Sequence, residues 1–174
     1  LFRNAKKIDK FLIKYLEYQK QSSLISPMKY GIISGGKKIR STIIFDAGKI
    51  FNISEKKLIN ICVAVECIHS YSLIHDDLPC MDNDSVRRGK PATHIKYGEA
   101  SAVLAGSSLL TLAFEIITDK KYLLTSKLKN EIVSSLASCS GHTGIAGGQE
   151  LDLKYENKNK KLTQIIDMQK KKTG

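Results

Sequence analysis

The chain has 174 residues, with 28 Lys and Arg against 17 Asp and Glu, a formal charge of +11 and a hydrophobic share of 42%. That is enough apolar sequence for the core of one domain, residues 1–174, and too much for a disordered tail. No apolar run approaches the ~18 residues of a membrane span, and the first residues carry no signal-peptide pattern, so a cytoplasmic protein without stable membrane insertion is expected.

Helical periodicity runs from end to end. Ile8, Phe11, Leu12, Tyr15 and Leu16 form the i, i+3, i+4, i+7 stripe of a first helix, with Lys6, Lys7, Lys10 and Lys14 on its wet side. Ser26-Pro27 opens a short second segment ending at Gly35-Gly36, and Ile39, Ile43, Ile44, Ala47 and Phe51 mark a third. Glu55 suits the first turn of a fourth helix, apolar through Leu58, Ile61, Val65, Ile68 and Leu73, which Pro79 must interrupt. A loop from Asp82 to His94 follows. Residues 101–118 are apolar almost all round, which predicts a fully buried helix. Residues 130–153 read as one helix continued through Gly141, Gly144, Gly147 and Gly148, and a lysine-rich connector leads to an amphipathic segment at Leu162, Ile165 and Ile166. No alternating β-branched run argues for a sheet, so the expected fold is an all-α bundle of long antiparallel helices.

Cys62, Cys67, Cys80 and Cys139 include no C-x-x-C pair and read as reduced packing residues. The sharper feature is His75-Asp76-Asp77-Leu78-Pro79-Cys80-Met81-Asp82-Asn83-Asp84, four acids clustered in a basic chain. Clustered carboxylates repel, and an oxygen-rich site of this kind suits Mg²⁺, a hard cation that takes one or two protein carboxylates and completes its shell with water and substrate phosphate. Asp76 ends the helix and the turn after Pro79 can return Asp82 beside it; the bland alternative is an acidic, solvated loop. His69, seven residues before Asp76, shares its helix face and is either a satisfied core residue or a ligand.

Only Arg3, Arg40, Arg87 and Arg88 are arginine among the basic residues. Gly35-Gly36 feeds a helix whose first turn is expected to carry Lys37 and Arg40 at i, i+3 on one face, where free amides and two cations make a natural phosphate site. Arg87-Arg88 follows the acidic block, and arginine offers phosphate a planar fork. Gln149 and Asp152 lie at i, i+3 on a glycine-rich segment that brings a second helix or a ligand close.

Taken in order, G-G-K-x-x-R, H-x-x-Y-S-L-I-H-D-D-L-P-C-M-D-N-D, R-R-G-K-P-A-T-H, G-G-Q-E-L-D-L and K-T-G make the sequence similar to the trans-isoprenyl diphosphate synthases, especially the bacterial short-chain enzymes of the farnesyl type. The resemblance covers the whole chain but only the first half to two-thirds of such an enzyme. It implies an all-α bundle around a central cavity, a homodimer, and Mg²⁺ held by Asp76 and Asp82, with Asp77 a lesser candidate. It further implies an isopentenyl diphosphate site at Lys37, Arg40, His69 and Arg88, and an allylic diphosphate (dimethylallyl or geranyl) held by Arg87, Lys172 and Thr173. Asp76, Asp82, Arg87 and Lys172 would then assist ionisation, and Tyr71 would floor the product cavity, favouring a fifteen-carbon product over geranylgeranyl diphosphate. Ser41 and Ser107 depart from the family pattern, which has proline and aspartate there.

The second Asp-rich motif of such enzymes does not occur before residue 174, so little synthase activity is expected of these residues alone, and a non-catalytic partner of a prenyl synthase is the alternative. A metal-dependent phosphohydrolase would need more histidines than His94 and His142 can offer. Nucleic-acid binding is not expected, because most of the net positive charge lies at the two ends and between Lys154 and Lys161, where it is carried by lysine.

Overall fold

The computed structural model describes residues 2–19, 22–33, 35–122 and 124–173. Among them the chain is all-α apart from one short hairpin: α1 Phe2–Glu17, α2 Ile25–Ile33, α3 Ile39–Ile50, α4 Glu55–Asp76, β1 Val86–Arg87, β2 Lys90–Pro91, α5 Thr93–Tyr97, α6 Glu99–Thr118, α7 Ser126–Ser140, α8 Ile145–Tyr155 and α9 Leu162–Lys172. The chain divides into two compact units, Leu1–Leu124 and Thr125–Gly174.

In the first unit the stripe of α1 is buried as its periodicity requires, with Ile8 and Leu12 fully covered, each contributing roughly 1.5–3 kcal/mol. The centre of this unit is the contact between α4 and α6. Ala102, Ala105, Leu109, Leu112, Ala113, Ile116 and Ile117 face inward at helical spacing. The α4 end meets the α6 start: the Nε2–H of His75 donates to the Val103 carbonyl at 3.1 Å, and the His75 ring fills the space a Cβ on Gly106 would need.

α6 is not buried all round. Its outer face exposes Val103 and Leu104, because α4 and the flanking helices cover one side of it only. The expectation about apolar runs also needs correction: α4 and α6 each contain an 18-residue window of mean hydropathy 1.4 and 1.7, long and apolar enough to cross a membrane by composition. Both use that apolar surface against each other, as core helices do. α4 stops at Asp76, where the amides of Asp77 and Leu78 close the last turn onto Leu73 and His75 ahead of Pro79.

The expected loop after Asp82 contains structure. Arg87 pairs with Lys90, and Arg88 and Gly89 form the two-residue turn with φ of 54° and 73°, the left-handed pair that matches strand twist. α5 begins at Thr93, inside that expected loop.

In the second unit, residues 130–153 form two helices. Gly141, extended at the end of α7, and Gly144, ahead of α8, break the run, because the backbone at Cys139 crowds the position a Gly144 Cβ would take. Thr125 caps α7 through its hydroxyl, which accepts from the Leu128 amide at 3.3 Å. α8 packs on α9 with Met168 buried. Only two of the four cysteines pack: Cys62 and Cys67 are buried, whereas Cys80 and Cys139 are exposed, and all four are free thiols.

Candidate diphosphate and metal site

The acidic block wraps on itself. The Asp82 amide donates to the Asp76 carbonyl at 2.9 Å, and the amides of Met81 and Asn83 donate to the Leu78 carbonyl at 2.9 and 3.1 Å. Asn83 takes the left-handed conformation, φ 53°, that the return demands. The backbone of Asp82 thereby returns beside that of Asp76, forming a lip at the end of α4.

Asp77 turns the other way. It is 2% exposed, accepts from the Arg87 Nε at 2.9 Å and from its Nη2, and so is committed to Arg87 instead of a metal. Nη2 also lies 3.3 Å from Asp84 Oδ2. Burial pushes the Asp77 carboxyl up, and Arg87 opposes that rise. Among the described residues no three Asp, Glu, His or Cys side chains converge to hold a metal unaided. Two carboxylates on one lip nonetheless fit Mg²⁺, which binds through one or two carboxylates and keeps water or phosphate oxygens for the rest.

Beside this lip the charge reverses. His69, two turns back along α4, is pushed down to about 4, chiefly by burial and then by Arg40, Arg88, Lys38 and Arg87. Nearby cations and burial both disfavour a protonated ring, so the imidazole is neutral at pH 7. Arg88 reaches from the hairpin to the Gly35 carbonyl, and its guanidinium occupies the space a Cβ on Gly36 would take. The glycine turn and the R-R-G hairpin, 53 residues apart in sequence, are thus tied together. Lys37 lies exposed in the turn, ahead of α3, and does not share a helix face with Arg40.

The α3 start is also less open than its sequence implied. Glu66, 2% exposed on α4, accepts the Ser41 hydroxyl at 2.7 Å and the Ser41 amide at 3.3 Å. Lys38, 6% exposed with φ 47°, donates to the Ile32 carbonyl at 2.6 Å and lies 3.8 Å from Asp9 and 3.9 Å from Glu66. Sequence reasoning passed over Glu66 and Lys38. The signal was there: Glu66 is a lone acid between Ile61 and Ile68, and a carboxylate in an apolar run needs a partner.

Tyr71 is buried with its ring edge against His75, centroids 5.6 Å apart. In the second unit Lys172 Nζ lies 2.5 Å from Asp152 Oδ2, Gln149 is buried on the same helix as Asp152, and the Thr173 amide closes α9 onto Gln169 at 2.9 Å. Gly174 of the K-T-G motif lies outside the described residues.

An all-α fold centred on the α4–α6 contact, with the acidic turn and the R-R-G hairpin at the end of α4, defines the class of protein. Residues 21–174 match the polyprenyl synthetase family model, and the chain belongs to that family. It is 45% identical over 152 residues to farnesyl diphosphate synthase of Escherichia coli strain K12, covering 87% of this chain and 51% of that one. It is likewise 45% identical over 156 residues to the farnesyl diphosphate synthase of Buchnera aphidicola from Acyrthosiphon pisum, covering 89% and 55%. Among solved structures, an FPP/GFPP synthase from Zymomonas mobilis superposes with TM-score 0.93 at 39% identity, over 98% of this chain and 63% of that one. A geranyltransferase from Legionella pneumophila gives TM-score 0.94 at 33% identity, over 98% and 61%. The fold is therefore the all-α fold of the isoprenoid synthases, and the chain spans about half the length of the curated relatives it matches.

Proposed function

We propose that the chain carries the diphosphate- and Mg²⁺-binding face of a farnesyl diphosphate synthase, which joins isopentenyl diphosphate to dimethylallyl or geranyl diphosphate. The observation that carries this is the tie of Arg88 to the glycine turn ahead of Arg40, with the Asp82 amide closed onto the Asp76 carbonyl at the end of the helix that bears His69. In this reading Arg40, Arg88, Lys37 and His69 receive the diphosphate of the nucleophilic substrate. Arg87, held in place by Asp77 and Asp84, would neutralise the allylic diphosphate. Asp76 and Asp82 would hold Mg²⁺, which when bound supplies positive charge to the departing pyrophosphate.

The allylic C–O bond breaks with its electron pair leaving on pyrophosphate. The isopentenyl double bond then attacks the allylic carbon, and the resulting cation loses a proton to the released pyrophosphate. The protein forms no covalent bond with substrate; its side chains bind, orient and balance charge. Tyr71, buried five residues before Asp76, sets the depth available to the growing chain and favours a fifteen-carbon product.

Both substrates are water-soluble diphosphates, which suits a cytoplasmic enzyme, and the exposed Val103 and Leu104 of α6 suit a homodimer. Calorimetric titration of isopentenyl diphosphate, and of dimethylallyl diphosphate with and without Mg²⁺, tests the site. Binding is expected for the wild type, with Arg40→Ala and Arg88→Ala each weakening it about tenfold or more. Asp76→Asn with Asp82→Asn should abolish the Mg²⁺-dependent part of allylic diphosphate binding alone. Affinity unchanged in all of these variants would overturn the proposal.

A further inference from the structure

We propose that Glu66 is a positioning residue for the diphosphate face: α4 lends it as the cap that α3 cannot make for itself, and this link sets Arg40 against His69. The inference rests on the diphosphate reading above and extends it to a group that does not touch the ligand.

The N-cap residue of α3 is Lys38, whose side chain has no acceptor and makes no cap hydrogen bond. The orphan amide at Ser41, third in the helix, must therefore find an acceptor elsewhere. Glu66 Oε1 takes it at 3.3 Å and takes the Ser41 hydroxyl at 2.7 Å, placing a carboxylate at the positive end of the helix. The same hydroxyl lies 3.1 Å from the Cys62 carbonyl, and the charge-assisted bond to Glu66 is the shorter of the two. Glu66 Oε2 lies 3.9 Å from the Lys38 ammonium, whose third neighbour is Asp9 of α1 at 3.8 Å. A buried carboxylate is tolerable only with such partners, and here they are Ser41 of α3 and Lys38 ahead of it, Lys38 being tied in turn to the Ile32 carbonyl of α2 and to Asp9 of α1.

Placement gives the network its consequence. Ser41 is the residue after Arg40. Glu66 lies three residues before His69, on the same face of α4. The Ser41–Glu66 bonds therefore sit one residue behind Arg40 and one turn behind His69, and they fix the spacing of the two groups that must close on one diphosphate. Serine at 41 supplies both donors, its amide and its hydroxyl.

The test is calorimetric titration of isopentenyl diphosphate into the full chain and its Glu66→Leu, Glu66→Gln, Ser41→Ala and Arg40→Ala variants, with amide exchange of the first turn of α3 read in parallel. Glu66→Leu should weaken binding about tenfold or more, and Glu66→Gln, which keeps an acceptor for Ser41, should restore most of it. Ser41→Ala, a small change that the fold will accept even if Glu66→Leu unfolds it, should cost roughly two- to fivefold and speed exchange at Ser41 and Thr42. Wild-type and Arg40→Ala chains that bind equally, or not at all, would refute the diphosphate site itself. If Arg40→Ala weakens binding while Ser41→Ala and a folded Glu66 variant leave it unchanged, the site stands and the positioning role falls. Equal loss in Glu66→Gln and Glu66→Leu would also overturn it.

Discussion

Protonation of His69 is the perturbation that reads the cationic face most directly. Its imidazole is pushed from 6.5 down to about 4, by burial first and then by Arg40, Arg88, Lys38 and Arg87, so the folded chain holds it neutral at pH 7. Because the folded value lies below the unfolded one, its contribution to stability is complete above pH ~6.5, falls as pH drops from ~6.5 toward ~4, and is gone below that. At ~1.36 kcal/mol per pKa unit the interval amounts to about 3 kcal/mol, and screening at a ring that is partly exposed reduces this to roughly 2 kcal/mol. A bound diphosphate reverses the local field, so the ring should take up a proton as ligand arrives. The assay is an NMR titration of the imidazole C–H resonances with and without inorganic pyrophosphate, paired with urea unfolding of wild type and His69→Gln between pH 4 and 8. The variant should flatten the slope of stability below pH ~6.5, and pyrophosphate should raise the ring pKa by at least about one unit. A ring that titrates at or above 6.5 in the free chain, or one that ignores pyrophosphate, would refute the reasoning.

Helix existence was legible in the sequence because the apolar stripes of α1 and α4 are strong and Pro79 admits one ending only. Surface exposure of α6 was not, since composition reports how apolar a helix is and not how many neighbours cover it. The break between α7 and α8 was hidden for a related reason: glycines inside a periodic run are compatible with a helix, and only the crowding of Gly144 against Cys139 shows that the chain must turn. For the proposed site, Asp76, Asp82, Arg40 and Arg88 were singled out by residue type and spacing. Asp77 did not separate from Asp76 by type, and what distinguishes them is that one faces Arg87 in the interior. Glu66 and Lys38 were harder still. Their partners come from helices remote in sequence, and no local pattern encodes a cap that a different helix provides.

Four further outcomes follow from particular contacts. Asp77→Ala should destabilise the fold by about 2–4 kcal/mol in urea unfolding, because it strips Arg87 of its buried counter-charge; a loss under ~0.5 kcal/mol would contradict the pairing. Asn60 is fully buried with neither amide atom hydrogen-bonded, so Asn60→Ala should stabilise by about 1 kcal/mol, and a clear destabilisation would point to an ordered water held there. Tyr71→Ala in a complete synthase should shift the product, read by mass spectrometry, beyond fifteen carbons, and an unchanged product would remove Tyr71 as the floor. Gly148 offers the most local test in the second unit. An added Cβ would lie 2.6 Å from the Lys172 Cα and closer still to its nitrogen, and both are backbone atoms that cannot swing aside as a side-chain tip can. Gly148→Ala must therefore push α9 off α8, and the cost of overpacking, ~1–3 kcal/mol, exceeds the ~1 kcal/mol that alanine gains over glycine inside a helix. The Lys172–Asp152 pair should open with it, so amide exchange in α9 and the side-chain resonances of Lys172 should change together while α1–α6 stay silent. A variant as stable as wild type, with α9 exchange unchanged, would mean that α8 and α9 do not meet through Gly148.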